Sequence, residues 1–322
     1  MLASMIKQAT PQNIRHAASL LQRGEIVAFP TETVFGMGAD ATNESAVEKL
    51  FAAKNRPRDK ALSVMVHDIA VAEKLALFDQ RALTLAHTLW PGPLSLVLPR
   101  RPGNGISEIV TAGQETISLR LPRHPVALAL LKEAGCPIAA PSANPSGNLS
   151  TTTALEVARH LGDAVPLILA DAAPVIGIES TLLDLTRLPA VILRPGAIAL
   201  EEISGLIGDV VYAENTAPGL TLKTPLRLRA IDVGPGEAFL GFGKVTYIGV
   251  QGVGFVRDMP EELYRNLSPD GDLHEAAAHL YKMLQELDEC GATAIAIMNI
   301  PNQGLGQAIN ARLAQVRHTT LL

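Results

Sequence analysis

Residues 125–144 read PVALALLKEAGCPIAAPSAN. Pro125 suits the first turn of a helix, where its missing N–H costs nothing, and Gly135 suits the stop. The apolar run 137–140 that follows is short enough for a strand. It leads straight into Pro141-Ser142-Ala143-Asn144, a polar segment held between two prolines. The same alternation extends in both directions. Upstream, residues 11–23 form an amphipathic helix ended by Gly24, and 25–29 a strand closed by Pro30. A loop over 31–38 follows, and Asn43 caps a helix reaching Lys54, with Val47, Leu50 and Phe51 on one face. Strands are expected at 61–66, 94–98 and 116–121. Downstream, Ser150 caps a helix stopped by Gly162, and 167–170, 180–185 and 190–193 are strands. Helices and strands in alternation indicate an α/β fold with a mixed sheet.

The pattern lapses at 213–229, a Thr-, Pro- and Gly-rich stretch without a period, read as a linker. Residues 1–212 are thus one domain and 230–322 a smaller α/β domain. The second holds a helix over 272–289 opened by the capping box Asp272-Leu-His-Glu275, a strand over 292–300 and a helix over 306–316.

Of 322 residues, 48% are hydrophobic and 18% charged, enough apolar matter for full cores. Aromatics are only 4%, so Ala, Val, Ile and Leu build those cores, which suits strands covered on both faces. Net charge is -5, with 18 Lys+Arg against 17 Asp+Glu in residues 1–200 and 9 against 15 in the rest. That balance argues against a whole-surface grip on nucleic acid but leaves room for a local basic groove in the first part with weak RNA binding. Two cysteines without paired spacing fit reduced thiols rather than a disulfide framework or a zinc site. No apolar run is long enough to span a bilayer and the start lacks a signal-peptide pattern, so a cytoplasmic protein is expected.

Four polar segments sit where apolar runs end: Pro30-Thr31-Glu32-Thr33, Lys54-Asn55-Arg56-Pro57, Pro141-Ser142-Ala143-Asn144 and Leu193-Arg194-Pro195-Gly196. Loops placed by a rigid scaffold are where binding concentrates. Lys54, Arg56, Arg58 and Lys60 crowd one such loop, and guanidinium and ammonium groups bind phosphate oxygens strongly. Thr116 and Arg120, four apart on a strand, face one side. No Ser/His/Asp arrangement and no metal-spaced cluster stands out. The stretch Gly234–Lys244 fails as a P-loop, with Ala238 at the place of the first glycine and Val245 at that of Ser/Thr. The spacing of Gly249, Gly252 and Gly254 does not fit a dinucleotide loop. The residues alone give a phosphate or nucleotide pocket, without a reaction.

The ordered motifs Pro-Thr-Glu-Thr-Val-Phe-Gly, Lys-Asn-Arg-Pro, Trp-Pro-Gly-Pro-Leu, Leu-Arg-Leu-Pro-Arg-His-Pro, Ala-Pro-Ser-Ala-Asn, Glu-Ser-Thr and Leu-Arg-Pro-Gly resemble the threonylcarbamoyl-AMP synthases, the long form of the YrdC-like family. Leu-Gly-Phe-Gly and Gly-Leu-Gly-Gln-Ala-Ile-Asn resemble that form's additional domain. The resemblance implies a YrdC-like twisted mixed sheet with surrounding helices and a concave groove, plus a smaller C-terminal Rossmann-like α/β domain. It implies a nucleotidyltransferase that joins L-threonine, bicarbonate and ATP into threonylcarbamoyl-adenylate and pyrophosphate, with Mg²⁺ accompanying ATP. The product would pass to a separate tRNA threonylcarbamoyl transferase.

By matching position, the resemblance places Lys54 and Arg56 on the ATP phosphates as the catalytic cations. Thr116, Ser142, Asn144, Ser150 and Arg194 fall on nucleotide positions. Thr31, His67, Arg120 and Ser180 fall around threonine, Arg120 being suited to a carboxylate. No protein-held metal site is implied. A non-catalytic module binding double-stranded RNA or tRNA is the alternative on the same fold. The chain departs from the family pattern at Phe35, where Tyr is usual, and at Ala61, where Pro is usual. In the linker, Ala217-Pro218-Gly219 is not followed by the His-Tyr pair usual in the family's long form, and the resemblance therefore implies a poorer or a different cover over ATP.

Overall fold

The computed structural model describes all residues except 1, 173, 215–219, 246–247, 252–253 and 319–322. The chain divides into two units. The first comprises Met1–Ser146, Ser150–Val175 and Glu179–Thr216, the second Gly147–Leu149, Ile176–Ile178 and Ala217–Leu322.

In the first unit eleven strands form one sheet. They are β1 (Ile6–Gln8), β2 (Val27–Phe29), β3 (Gly36–Asp40), β4 (Ser63–Met65), β5 (Leu94–Pro99), β6 (Thr116–Arg120), β7 (Ile138–Ala139), β8 (Ile168–Ala170), β9 (Thr181–Asp184), β10 (Ala190–Arg194) and β11 (Val210–Tyr212). Their order is β1-β8-β2-β3-β7-β4-β6-β5-β9-β10-β11, and both parallel and antiparallel pairs occur, as expected of a mixed sheet. Successive strand residues point to opposite faces. Val27 and Phe29 therefore pack with Ile138 and Leu169 beneath the helices Pro11–Gln22 and Pro125–Ala134. Ala28, Val64, Leu96 and Leu119 join the other core, with Val47, Leu50 and Phe51 of the helix Glu44–Lys54. Fully burying a Leu or Phe of this kind stabilises by about 1.5–3 kcal/mol.

Registers fix which loops meet. Strands β4 and β6 run parallel, with Ser63 opposite Ser118 and Met65 opposite Arg120. Strand β7 runs antiparallel to β3 and β4, and β9 runs parallel to β5 with Thr181 opposite Leu94. One end of the sheet thus gathers Gly36, Ser63, Thr116 and the exit of β7. The other gathers Met65, Arg120, Thr181 and Arg194.

Three local readings are corrected. The loop expected over 31–38 already contains the start of β3, and Gly38 lets this strand lie close to its neighbours. A Cβ on Gly38 would lie 2.7 Å from Ile138 Cγ2 and 2.8 Å from Phe29 Cε1. Ser150 is not a helix cap. The helix is Ala154–Leu161, and its cap is Thr153, whose hydroxyl accepts from the Glu156 N–H while the Glu156 carboxylate accepts from the Thr153 N–H. The helices Ile69–Leu75 and Gln80–Leu89, capped by Asp68 and Asp79, have no counterpart in the sequence reading.

The second unit carries a four-stranded parallel sheet ordered Leu226–Ala230, Ile295–Met298, Ala238–Gly241, Tyr264–Asn266. Its helices are Leu273–Asp288 and Leu305–Ala314. The stretch read as a linker over 213–229 is therefore partly ordered. Thr221–Leu222 pairs with Arg317–His318, and Leu226–Ala230 is an edge strand of the sheet. The capping box at Asp272 is half formed. Asp272 accepts from the N–H groups of His274 and Glu275, but the Glu275 carboxylate accepts instead from Ser268 Oγ at 2.5 Å. Among the described residues no helix is long and apolar enough to cross a membrane.

Candidate functional site

Lys54 ends its helix, and Asn55 beyond it takes a left-handed conformation with φ 50°. That turn sends the chain away while the lysine points inward, only 2% exposed. Its ammonium donates to the backbone oxygens of both Ser142 and Asn144, so the Lys-x-Arg and Ser-x-Asn segments meet. The Ser146 N–H donates back to the Lys54 carbonyl at 2.9 Å. Burial, and then the neighbouring Arg56, push the Lys54 pKa down to about 7. Burial likewise lowers Arg56 to about 10, against the pull of Asp59, so it stays charged at neutral pH. Arg56 is braced by the Lys60 and Ala61 carbonyls at 3.1 and 2.7 Å. Arg58 belongs to a different group, exposed and directed to Glu48 and the Phe51 ring. The four cations read together in the sequence thus separate.

The Ser-x-Asn loop is locked to the start of β3. Ser142 bridges to Gly36, Ala143 N–H donates to Phe35 O at 2.8 Å, and Phe35 N–H donates to Thr151 O at 2.9 Å. Asn144 is buried, and its Nδ2 donates to Pro145 O at 2.9 Å. Further along, buried Ser150 donates to Glu179 Oε1 at 2.7 Å. Thr116, half-buried at the start of β6, lies at the Ser63 and Gly36 end of the sheet.

Arg120 and His67 lie at the opposite strand ends. The two arginine positions flanking this end are both tied to neighbours. Arg194 donates to Ser180 Oγ at 2.9 Å and to Ser180 O at 3.1 Å, and Ser180 Oγ is 2.8 Å from Ser95 Oγ. Although matched to nucleotide positions, Arg194 and Ser150 thus sit on Ser180 and its neighbour Glu179. His67 is half-buried and without a hydrogen bond among the described residues. Thr31 is buried in a turn of its own, its hydroxyl bonded to Val34 O at 2.6 Å and 2.9 Å from Thr33 Oγ1. Arg120 donates through Nη2 to Glu32 Oε1 at 2.8 Å and to Thr33 Oγ1 at 3.0 Å. Burial drives the Glu32 carboxyl upward, but the Arg120 charge and hydrogen bond, with the Glu32 and Arg123 N–H groups, outweigh it and leave it below the ordinary range. Removing one member of a buried ion pair typically costs about 3–5 kcal/mol.

Every residue proposed from sequence therefore lies in the first unit, on segments linked by hydrogen bonds, chain adjacency or strand register. Glu32, Thr33, Ser95 and Glu179 were given no role. Ser95 had a signal, a hydroxyl inside the apolar run Leu94–Leu98 where a polar group needs a partner. Glu32 had another, a carboxylate between two threonines where an apolar strand ends at Pro30. The segment Ala217-Pro218-Gly219 lies outside the described residues.

Lys54, Thr116, Ser142 and Asn144 thus gather toward one end of a mixed α/β sheet and Arg120, Ser180 and Arg194 at the other, a set of cations, hydroxyls and amides of the chemistry that binds anionic ligands. Two family models match the chain, one described as telomere recombination over residues 19–196 and one as the C-terminal domain of threonylcarbamoyl-AMP synthase over 238–315. The threonylcarbamoyl-AMP synthase of Pyrococcus abyssi is 37% identical over 93% of this chain and 92% of its own length. That of Bacillus subtilis is 38% identical over 93% and 91%. The crystal structure of P. abyssi Sua5 complexed with L-threonine superposes with a TM-score of 0.83 at 31% identity, covering 98% of each chain. The chain belongs to the threonylcarbamoyl-AMP synthase family.

Proposed function

We propose that this chain is an L-threonylcarbamoyladenylate synthase, forming threonylcarbamoyl-AMP and pyrophosphate from L-threonine, bicarbonate and ATP. The observation that carries the reading is the tie between Lys54 and the Ser142 and Asn144 oxygens. It brings a buried cation against a segment remote in sequence, and the relatives that share this chain's length are named for the reaction. The neutral threonine amine adds to carbon dioxide with loss of a proton, or to bicarbonate with loss of water, and gives a carbamate. A carbamate oxygen then attacks the α-phosphorus, the bond to the pyrophosphate oxygen breaks, and pyrophosphate leaves. Alignment and charge neutralisation dominate such a step, and no protein nucleophile is required. Lys54 and Arg56 hold the phosphate charge, aided by Thr116, Ser142, Asn144, Ser150 and Arg194. Arg120 takes the threonine carboxylate as a bidentate partner, with Thr31, His67 and Ser180 around it.

Mg²⁺ is proposed as a companion of ATP. Among the described residues no group of three or more His, Cys, Asp or Glu side chains is placed to hold a metal ion. The donor set therefore fits a cation carried mainly by triphosphate oxygens, where it would neutralise charge. The adenylate would pass to a tRNA threonylcarbamoyl transferase in the cytoplasm. The near-neutral first 200 residues and acidic remainder favour this over a tight RNA-binding role.

Pyrophosphate release from ATP, with threonine and bicarbonate omitted in turn, tests the proposal. Release that needs both is expected. Release independent of threonine, or none under any condition, would overturn it.

A further inference from the structure

Glu32 is a buried charge without a part in the reaction just drawn. It is 6% exposed and faces Arg120, which is 5% exposed. One hydrogen bond joins them, Arg120 Nη2 to Glu32 Oε1 at 2.8 Å. Glu32 Oε2 and Arg120 Nε are both buried, and neither makes a hydrogen bond. A buried polar atom without a partner is costly, more so when it is charged. Here two such atoms of opposite sign belong to the two members of one ion pair.

We propose that Glu32 recognises the ammonium group of the amino-acid substrate while Arg120 takes its carboxylate, so that the zwitterion inserts between the two. The inference rests on the threonine reading of the pocket. An α-amino acid carries both charges on one carbon, which matches an adjacent carboxylate and guanidinium of reversed polarity. A phosphate would satisfy only the arginine, and a hydroxyl neither charge. Glu32 is suited to the task because it stays ionised despite burial, so it meets the ammonium as an anion. Thr33 Oγ1, accepting from Arg120 Nη2 at 3.0 Å, retains the guanidinium when Glu32 turns to the ligand. Substrate binding thus replaces one ion pair by two charge-assisted contacts and leaves neither buried charge alone.

The test compares L-threonine with (R)-3-hydroxybutyrate, which keeps the carboxylate and hydroxyl but lacks the amine, by calorimetric binding to the whole protein. In wild type, threonine binds more tightly. In Glu32→Gln that advantage is expected to shrink by about tenfold or more, the worth of a charged hydrogen bond, with ATP affinity unchanged. If both acids weaken alike and the advantage survives, Glu32 only orients Arg120 and the proposal is wrong. If wild type binds ATP but not threonine, the threonine reading itself has failed, a result distinct from the last. Should Glu32→Gln not fold by circular dichroism, Glu32→Asp carries the same comparison. Withdrawing the carboxylate by one methylene is expected to reduce the advantage, and an unchanged advantage overturns the idea.

Discussion

Lys54 shows how a single burial event sets both stability and ligand response. Its pKa is pushed down to about 7 by burial and then by Arg56. In the unfolded chain a lysine keeps its proton to the ordinary value of 10.5. Between about 7 and 10.5 the unfolded state therefore binds more protons, and this residue's contribution makes stability rise with pH across that window. Below about 7 both states are protonated and the burial penalty is constant. A triphosphate beside Lys54 reverses the balance by favouring the ammonium. At pH 8 ATP binding should take up close to one proton, read from calorimetry in buffers of different ionisation enthalpy. At pH 6 the uptake should vanish, and Lys54→Met should abolish the uptake seen at pH 8. Uptake that persists in the variant would assign the proton to another group. For turnover, Lys54→Ala should lower kcat by roughly 10²–10³, the usual effect of removing one preorganised charge-stabilising donor.

Short elements separate what the sequence reveals from what it hides. The helix Pro125–Ala134 was readable because its proline and glycine each have one cheap place to sit. The helix Ala154–Leu161 was readable as a helix but not in its start, since Ser150, Thr151, Thr152 and Thr153 are all plausible caps. The deciding signal was present: only Thr153 has a glutamate three residues on. Thr153→Ala should cost about 1 kcal/mol in thermal or denaturant unfolding. Ser150→Ala should leave that helix start intact and act instead through buried Glu179, to which its hydroxyl donates. Strand β3 was hidden for a different reason. Its glycines look like a loop in one dimension, and Gly38 becomes a packing requirement only when Phe29 and Ile138 arrive from other strands. Gly38→Ala should therefore destabilise by about 1–3 kcal/mol through overpacking, although alanine is otherwise the better strand residue. A neutral result in a melting experiment would mean that those neighbours yield easily. The site follows the same division. Lys54 and Ser142 stood out as polar groups beside apolar runs and Arg120 takes its role only through the family resemblance, whereas the bonds of Lys54 to Ser142 and of Arg120 to Glu32 depend on strand order, which single-sequence periodicity does not encode.

The chain-wide error lay in the boundary between the two units. Composition pointed to a free linker over 213–229, yet Leu226–Ala230 is an edge strand bonded along its length to Ile295–Met298. Leu220 and Leu222 are buried, and Thr221–Leu222 is closed by the strand Arg317–His318. Low periodicity misled because a two-residue strand is too short to show any, and because Arg227 and Arg229 interrupt the apolar pattern of the edge. Arg227 is not solvent dressing. It reaches Glu237 at 2.9 and 2.5 Å and Asp232 at 3.0 Å, which pins the strand to the turn ahead of the next one. Cutting the chain at 230 removes this strand and bares the hydrogen-bonding edge of Ile295–Met298, as well as the apolar side chains beneath it. A fragment of residues 220–322 should therefore unfold in a single cooperative transition, followed by circular dichroism against temperature. A fragment of residues 230–322 should show a broadened transition or none, and should aggregate at concentrations where the longer fragment stays monomeric. Equal, sharp transitions in both would show that the edge strand contributes little and that the second unit begins where composition alone had put it.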